Sequence, residues 1–312
     1  MTAYIVRRLW QMIPTLLGVI LLVFFLFKAF GGDPAEILAG LNASQQTVDA
    51  IREQLGLNAP WYVQLGIYLK SIATLDWGRS WATNESVAHL FATRLPATLT
   101  VMLPILVFDT LLALPIAMWV AYRRGSLGDR AIMIASTLAL SVSFLVYVIV
   151  GQYVFGFQLG WFPVQGWSDS VVTNLTTYVP LPLMLALLVG LAPQTRLYRT
   201  FFLDELGHDY VRTARAKGLT EKTILLKHVL RNAMIPILTN VAVALPGIFV
   251  GSFLIEVFFS IPGLGRELLL AVNRSDYPVI QAFAIYTAAI TMLVNLATDL
   301  LYKLVDPRVV LK

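Results

Sequence analysis

The chain has 312 residues, 58% of them hydrophobic and 13% charged, with a formal net charge of +5 and no Cys. A soluble domain carries about 25% charged residues, so an ordinary soluble fold is excluded; the lack of Cys excludes disulfides, thiolate metal sites and Cys nucleophiles. The mean hydropathy of +0.74 and apolar runs of roughly 20 residues point to an all-α polytopic membrane protein, and its basic residues fall in loops between the runs, where they act as orientation signals rather than as a nucleic-acid footprint.

The first apolar run, Leu9 to Phe30, follows Arg7 and Arg8 and is interrupted by Pro14 and Lys28. As a helix it would be about 33 Å long, enough to cross a bilayer. It is longer than the apolar core of a signal peptide, so residues 1–30 read as a retained N-terminal span. A polar helical region, 31–94, comes next and is expected outside. It opens with the Gly32-Asp33-Pro34 turn and holds two surface helices, Gln45–Leu55 and Trp61–Ile72. It then reaches Asp76-Trp77-Gly78-Arg79-Ser80, a turn with an aromatic anchor. An ordinary interfacial belt is the simplest account of Trp61, Trp77 and Trp81.

Residues 95–303 are expected to form a core of five spans: Leu95–Tyr122, Ala131–Phe155, Val179–Leu197, Ile235–Phe259 and Val279–Leu301. Pro104 and Pro115 should kink the first of these. A polar hairpin, 204–234, interrupts the core, and a short tail, 304–312, ends the chain. Six spans put both termini on one side. If that side is inside, external segments hold Lys28, Arg52, Lys70, Arg79, Arg94, Arg266 and Arg274, and internal ones hold the other 16 of the 23 Lys and Arg. The positive-inside rule therefore puts both termini in the cytoplasm.

The polar stretch Asp209 to Pro236 separates the fourth and fifth spans. Asp209 can cap a helix by accepting from free backbone N–H groups. Tyr210, Arg212, Thr213, Ala214, Arg215, Ala216 and Lys217 continue it without Gly or Pro. Gly218 fits a left-handed position that ends the helix. After Leu219, Thr220 can cap a second helix, on which Ile224, Leu225, Val229 and Leu230 fall at helical spacing while Leu226 widens the stripe. The expected shape is helix, Gly corner, helix, with Arg212, Arg215, Lys217, Lys222, Lys227 and Arg231 facing outward. Such a hairpin should dock onto something; the plainer alternative is a solvated loop whose charges only set topology.

No P-loop motif occurs, so ATP is not bound here in that way. His89, His208 and His228 have no metal-ligand spacing, no metal site is expected, and no nucleophile motif appears. Asp109 lies mid-span, Asp299 near the inner end of the last span and Glu256 near the outer end of the fifth. An intramembrane aspartyl protease would need two facing carboxylates, but nothing around these acids resembles one. A charge at mid-membrane costs several kcal/mol unless it faces water or a partner. Asp109 therefore faces either a pathway or a polar residue on a neighbouring helix. Asn240 and Asn295 share that choice, with helix–helix hydrogen bonding the simpler account. An ion channel would carry a ring-forming filter motif, and none is evident.

Ala214-x-Ala216-x-Gly218, followed by an amphipathic helix and Pro236, resembles the EAA loop of ABC importer permeases. Arg212 and Thr213 stand where Glu and Ala are usual, and Arg231 where Pro is usual. The variant RTARAKGL, with RNAMIP at 231–236, resembles the dipeptide, oligopeptide and nickel importer branch. So do GDP at 32–34, LGL at 55–57, WGRS at 77–80, LPATL at 95–99, FFSIPGLGRELLLAVNRSDYPVIQ at 258–281 and VNLATDLLYKLVDPR at 294–308.

This resemblance covers nearly the whole chain and implies a type I ABC importer permease fold with six transmembrane helices. It implies a non-enzymatic subunit in a bacterial or archaeal inner membrane, forming half of a pathway for dipeptides or oligopeptides, with nickel or another small solute as the alternative. Its implied partners are a second, homologous permease chain in a heterodimer, two ATPase chains that bind the ATP and Mg, and an external substrate-binding protein. Asp209 to Leu219 would dock an ATPase. Pro262, Gly263, Arg266 and Asp276 in the loop Ser260–Pro278, together with Asp33 and Trp77, would face the external gate or the binding protein; a plain re-entrant connection is the other reading of that loop. Outside this family, a channel or scaffold subunit without an ATPase remains the alternative.

Overall fold

The computed structural model describes residues 2–40 and 43–305, so positions 306–312 of the expected tail lie outside the described residues. Helix α1 (Thr2–Phe30) holds the first span, with Pro14 inside it. Asp33 caps α2 (Pro34–Ala39), its Oδ1 accepting from the Ala35 N–H at 2.9 Å. Pro34 fits that first turn because no intrahelical donor is needed there. Ser44 caps α3 (Gln45–Gln54), and α4 is Trp61–Ala73. Helix α5 (Val87–Tyr122) runs 36 residues, about 54 Å, unbroken through Pro96, Pro104 and Pro115.

Ser126 caps α6 (Leu127–Ser141); α7 (Phe144–Gly151) continues into a π-helical turn, Gln152–Gln158. The short α8 (Val171–Thr173) and a second π-helical turn, Asn174–Tyr178, precede α9 (Pro180–Leu206). Then come α10 (Asp209–Ala216) and α11 (Glu221–Thr223), which passes through a third π-helical turn, Ile224–Val229, into α12 (Leu230–Val250). Helices α13 (Phe253–Phe258), α14 (Leu264–Asn273) and α15 (Tyr277–Val305) complete the order. Among the described residues the one bridge is the isolated antiparallel pair Arg79 and Ser86.

Among the described residues, five helices are long and apolar enough to cross a membrane, and α6 with α7 makes a sixth if the bent pair is one span. Two expected spans are corrected. Ala131–Phe155 is not one straight helix: its two halves meet at 89°. Val142 (φ −102, ψ 134) and Ser143 (φ −60, ψ 139) leave helical space. Ser141 Oγ donates back to the Thr137 carbonyl at 2.8 Å, the local bonding by which Ser bends or ends a helix. The fifth span starts well before Ile235: an unbroken helical segment runs Glu221–Val250. It stops at Gly251 (φ 82, ψ −179), short of the expected Phe259.

The chain divides into two compact units, Met1–Pro96 with Gly263–Lys312, and Ala97–Pro262. In the first unit α1 packs along α15. Ile20, Val23 and Phe24 are buried while Leu22, Phe25 and Leu26 are exposed, the stripe that helical periodicity requires. Val87 and Leu90 of α5, Ala271 of α14, and Val279 and Ala282 of α15 form a separate small core in that unit.

The second unit has a core at each end of its part of α5, which begins at Ala97. At one end Ala97 and Val101 meet Val148, Leu181, Leu185, Ile255 and Phe259. At the other, Ala113, Ala117 and Ala121, four residues apart, present a smooth face to Tyr198 and Phe202 of α9, Val211 and Ala214 of α10, and Ile224, Val229, Ala233 and Ile237 beyond the corner. Small side chains at such spacing let helices approach closely.

Candidate functional site

The polar hairpin sits on this second core. On α10, Val211 and Ala214 are buried, while Arg212, Thr213, Arg215, Ala216 and Lys217 are exposed. The expected cap is corrected by one residue. His208 has the extended backbone (φ −73, ψ 151) that a cap needs, so Asp209 is the first helical residue and not the cap. It still lies in the first turn, where the helix dipole favours negative charge, 3.4 Å from Arg212 Nη1. Tyr210 Oη donates to Glu205 Oε2 at 2.6 Å. Burial first, then Glu205, pushes the Tyr210 hydroxyl up to about 12.

Gly218 has φ 77. The Leu219 N–H donates to Ala214 O at 3.2 Å and the Gly218 N–H to Arg215 O at 2.9 Å, the pair of bonds that satisfies the last carbonyls of a helix ended by a left-handed residue. Thr220 then caps the next helix, its Oγ1 accepting from the Thr223 N–H at 3.4 Å. Across the corner, Arg215 Nε and Nη2 donate to Glu221 Oε1 and Oε2 at 2.8 and 3.2 Å. That bond holds the Arg215 pKa above its ordinary value. The six expected outward cations are all exposed, and Ile224 and Val229 are buried. Leu226, at 46% exposure, is left on the open face with Leu219 at 40%.

Asp109 of α5 faces Gly190 of α9: a Cβ there would lie 3.0 Å from Asp109 Oδ1. That oxygen is buried and makes no hydrogen bond among the described residues. Asn240 of α12 accepts from Gln194 Nε2 at 2.8 Å, and the same amide donates to Tyr198 Oη at 2.6 Å, a bond between α9 and α12. Asn295 is exposed on α15.

In the other unit Asp33 caps α2 and accepts from Arg52, which holds its carboxyl below the usual range. Trp77 is half-buried against the Val87–Leu90 core, its ring 6.3 Å from that of Phe91. Gly263, extended and buried, caps α14, on which Arg266 is half-buried; Pro262 precedes the cap. Asp276 is buried and accepts from Ser80 Oγ and from the Trp81 and Ala82 N–H groups at 3.0 and 3.3 Å. It therefore ties the 80–82 turn to the start of α15.

Three polar clusters have partners that the sequence does not reveal, although Glu256 and Asp299 stand out in it. Arg199 of α9 grips Asp129 of α6 with two bonds of 2.9 and 2.8 Å, and the Gly125 N–H adds a third. The signal for it was Ser126-x-x-Asp129, a capping box opening an apolar run. Glu256 is fully buried and accepts from Thr98 Oγ1 at 2.9 Å. Asp299 accepts from Tyr4 Oη at 2.7 Å and Arg8 Nη2 at 3.0 Å. Glu256 is thus engaged by a hydroxyl of α5, and Asp299 by a hydroxyl and a guanidinium of α1. Among the described residues no three His, Cys, Asp or Glu gather as a metal site.

Residues 113–311 match the family described as binding-protein-dependent transport system inner membrane component, and residues 1–102 match the N-terminal region of such membrane components. A Brucella abortus (strain 2308) protein, provisionally named a peptide transport system permease protein, is 37% identical over 314 residues, covering 99% of each chain. The dipeptide transport system permease protein DppB of Alkalihalophilus pseudofirmus is 33% identical over 331 residues, again with 99% of each chain covered. The glutathione transport system permease protein GsiC of Salmonella typhi is 34% identical over 312 residues at the same coverage. The chain therefore belongs to the binding-protein-dependent transport system inner membrane component family, as a non-enzymatic integral membrane permease subunit with the type I ABC importer fold.

Proposed function

We propose that this chain forms half of the pathway of an ABC importer for peptides, and that Asp209 to Leu219 docks one of two ATPase chains. The observation that carries this is the seating of α10. Its cations are exposed, its Val211 and Ala214 are held against α5 and α9, and past Gly218 the chain enters a helix unbroken to Val250. Motion of an ATPase against α10 then crosses only the Gly218 corner before it enters that long helix. The names of the relatives, for peptides, dipeptides and glutathione, support a peptide substrate.

In this reading ATP and Mg bind in the ATPase chains, a second homologous permease completes the pathway, and an external binding protein delivers substrate. The hairpin and both termini lie in the cytoplasm of an inner-membrane protein, as the charge asymmetry favours. Asp33, Trp77, Pro262, Gly263, Arg266 and Asp276 belong to the outer side. Asp109 faces the permease interior, and its charge serves passage. Reduced import by an Asp109→Asn chain that assembles normally supports that role, and unchanged import removes it.

The absence of native Cys makes docking directly testable. Thr213→Cys or Ala216→Cys, both at exposed positions, should cross-link to an ATPase chain in the assembled transporter. Proteoliposomes should show peptide uptake with ATP hydrolysis stimulated by the binding protein. Cross-linking confined to positions away from α10 would overturn the docking assignment. Nickel uptake without peptide uptake would move the substrate to the alternative.

A further inference from the structure

The unit formed by Met1–Pro96 and Gly263–Lys312 holds a cavity of about 500 Å³. Two facing ladders build one wall. Phe24 and Lys28 lie four residues apart on α1, and Tyr68 and Gln64 four apart on α4, so each pair shares a helix face. The Phe24 and Tyr68 rings are 5.6 Å apart, and Lys28 Nζ donates to Gln64 Oε1 at 3.0 Å. Phe27 and Ile67 add apolar surface. Phe24 lies about 9 Å along the axis from the end of α1, so the cavity reaches from acyl-chain depth to the level where the chain leaves the apolar run.

Two features point to a ligand. Arg52, also on the lining, is held by Asp33 and by Asp49, the latter at 2.7 Å. Lys28 instead meets a neutral amide and, among the described residues, pairs with no carboxylate. It stands in the last turn of α1, where a helix favours positive charge. Tyr68 Oη is buried and has no hydrogen-bond partner among the described residues, a costly state for a hydroxyl. Burial raises its pKa above the ordinary tyrosine range, which keeps it a neutral donor. An ammonium at the upper level, a hydroxyl one turn deeper and aromatic walls below form the donor set for an anion that carries an apolar tail.

We propose that this cavity is a binding site for an anionic phospholipid. Its phosphate pairs with Lys28, a glycerol-ester carbonyl accepts from Tyr68 Oη, and an acyl chain lies along Phe24 and Phe27. A free phosphate would use the upper level alone.

The test uses the full-length chain with its partner subunits in nanodiscs of phosphatidylcholine containing a minor fraction of phosphatidylglycerol, with retained lipid counted by native mass spectrometry. The wild type should retain phosphatidylglycerol in preference to phosphatidylcholine. Lys28→Met should lower that retention about tenfold and Tyr68→Phe about threefold, whereas Lys70→Met, an exposed cation of α4 outside the cavity lining, should leave it unchanged. Equal retention of the two lipids by the wild type, or unchanged retention in Lys28→Met, overturns the proposal. Should Lys28→Met fail to insert, unchanged retention in Tyr68→Phe overturns it alone. Displacement of the lipid by millimolar inorganic phosphate assigns the site to a soluble anion and equally overturns it.

Discussion

Two glycine corners bound the unbroken helical segment Glu221–Val250, and they are built in opposite ways. Gly218 has φ 77 and Gly251 has φ 82. A Cβ at Gly218 would meet nothing within 4 Å among the described residues, whereas at Gly251 it would lie 2.3 Å from Glu256 Oε1 and 2.9 Å from Thr98 Cγ2. Around Gly218 the side-chain bond is the exposed Arg215–Glu221 pair. Around Gly251 it is a fully buried carboxylate reached from α5. A positive φ alone therefore says little about a corner. The first demands a conformation but leaves its surroundings open to another chain; the second is closed by its own chain and holds α13 against α5.

Substitution separates the two. Gly251→Val should do the most damage, because about 1–3 kcal/mol of strain in a backbone region essentially reserved for glycine adds to displacement of a buried carboxylate. It should abolish folded protein, read as monodisperse yield after solubilisation; a normal yield and melting temperature would show that the corner is not closed. Thr98→Val should come next, removing one donor from Glu256 at a cost of about 1–3 kcal/mol. A melting temperature equal to wild type would show that the hydroxyl does not hold the acid.

Gly218→Val carries the strain of the left-handed region, about 1–2 kcal/mol, without the clash, so the chain should insert normally. With that strain at the proposed docking surface, peptide uptake and the Thr213→Cys cross-link should fall about tenfold, the effect of ~1.4 kcal/mol. Gly218→Asn, which tolerates the left-handed region, should retain both; equal behaviour of Val and Asn would break the distinction. Arg215→Gln should do least. An exposed ion pair contributes about 0–1 kcal/mol, so a large loss of melting temperature would mean that the open corner relies on its salt bridge.

The same contrast explains what could be read without coordinates. Gly218 was legible because it is a lone Gly in a polar run, followed by a Thr able to cap, and every determinant lies within a few residues. That α1 and α15 are spans was legible because runs of that length and apolarity have few other fates in a membrane. Gly251 was not, because what closes it is Thr98, 158 residues away from Glu256. Pro246-Gly247, the stronger local signal, is absorbed inside α12. The bend at Val142 and Ser143 fell within a uniformly apolar stretch, where hydropathy has no contrast to offer. Asp209 was misplaced by one position because a cap is defined by its backbone angles, which residue type only biases. Asp109, Asn240 and Asn295 were recognisable as polar groups at depth. Their different surroundings, a glycine, a glutamine and an open helix face, are set by which helices pack together.

Pro236 and Pro246 both lie inside α12. Each lacks an amide donor, so one rung of the helical ladder is missing at each level, where the carbonyls of Asn232 and Ala242 find no proton from the residue four places on. The two levels are about 15 Å apart. Along its axis such a column remains stiff, since thrust is borne by the covalent chain and the intact rungs. Sideways it is compliant at two set heights. A displacement applied beside Gly218 would therefore concentrate at these two levels instead of spreading as gradual curvature.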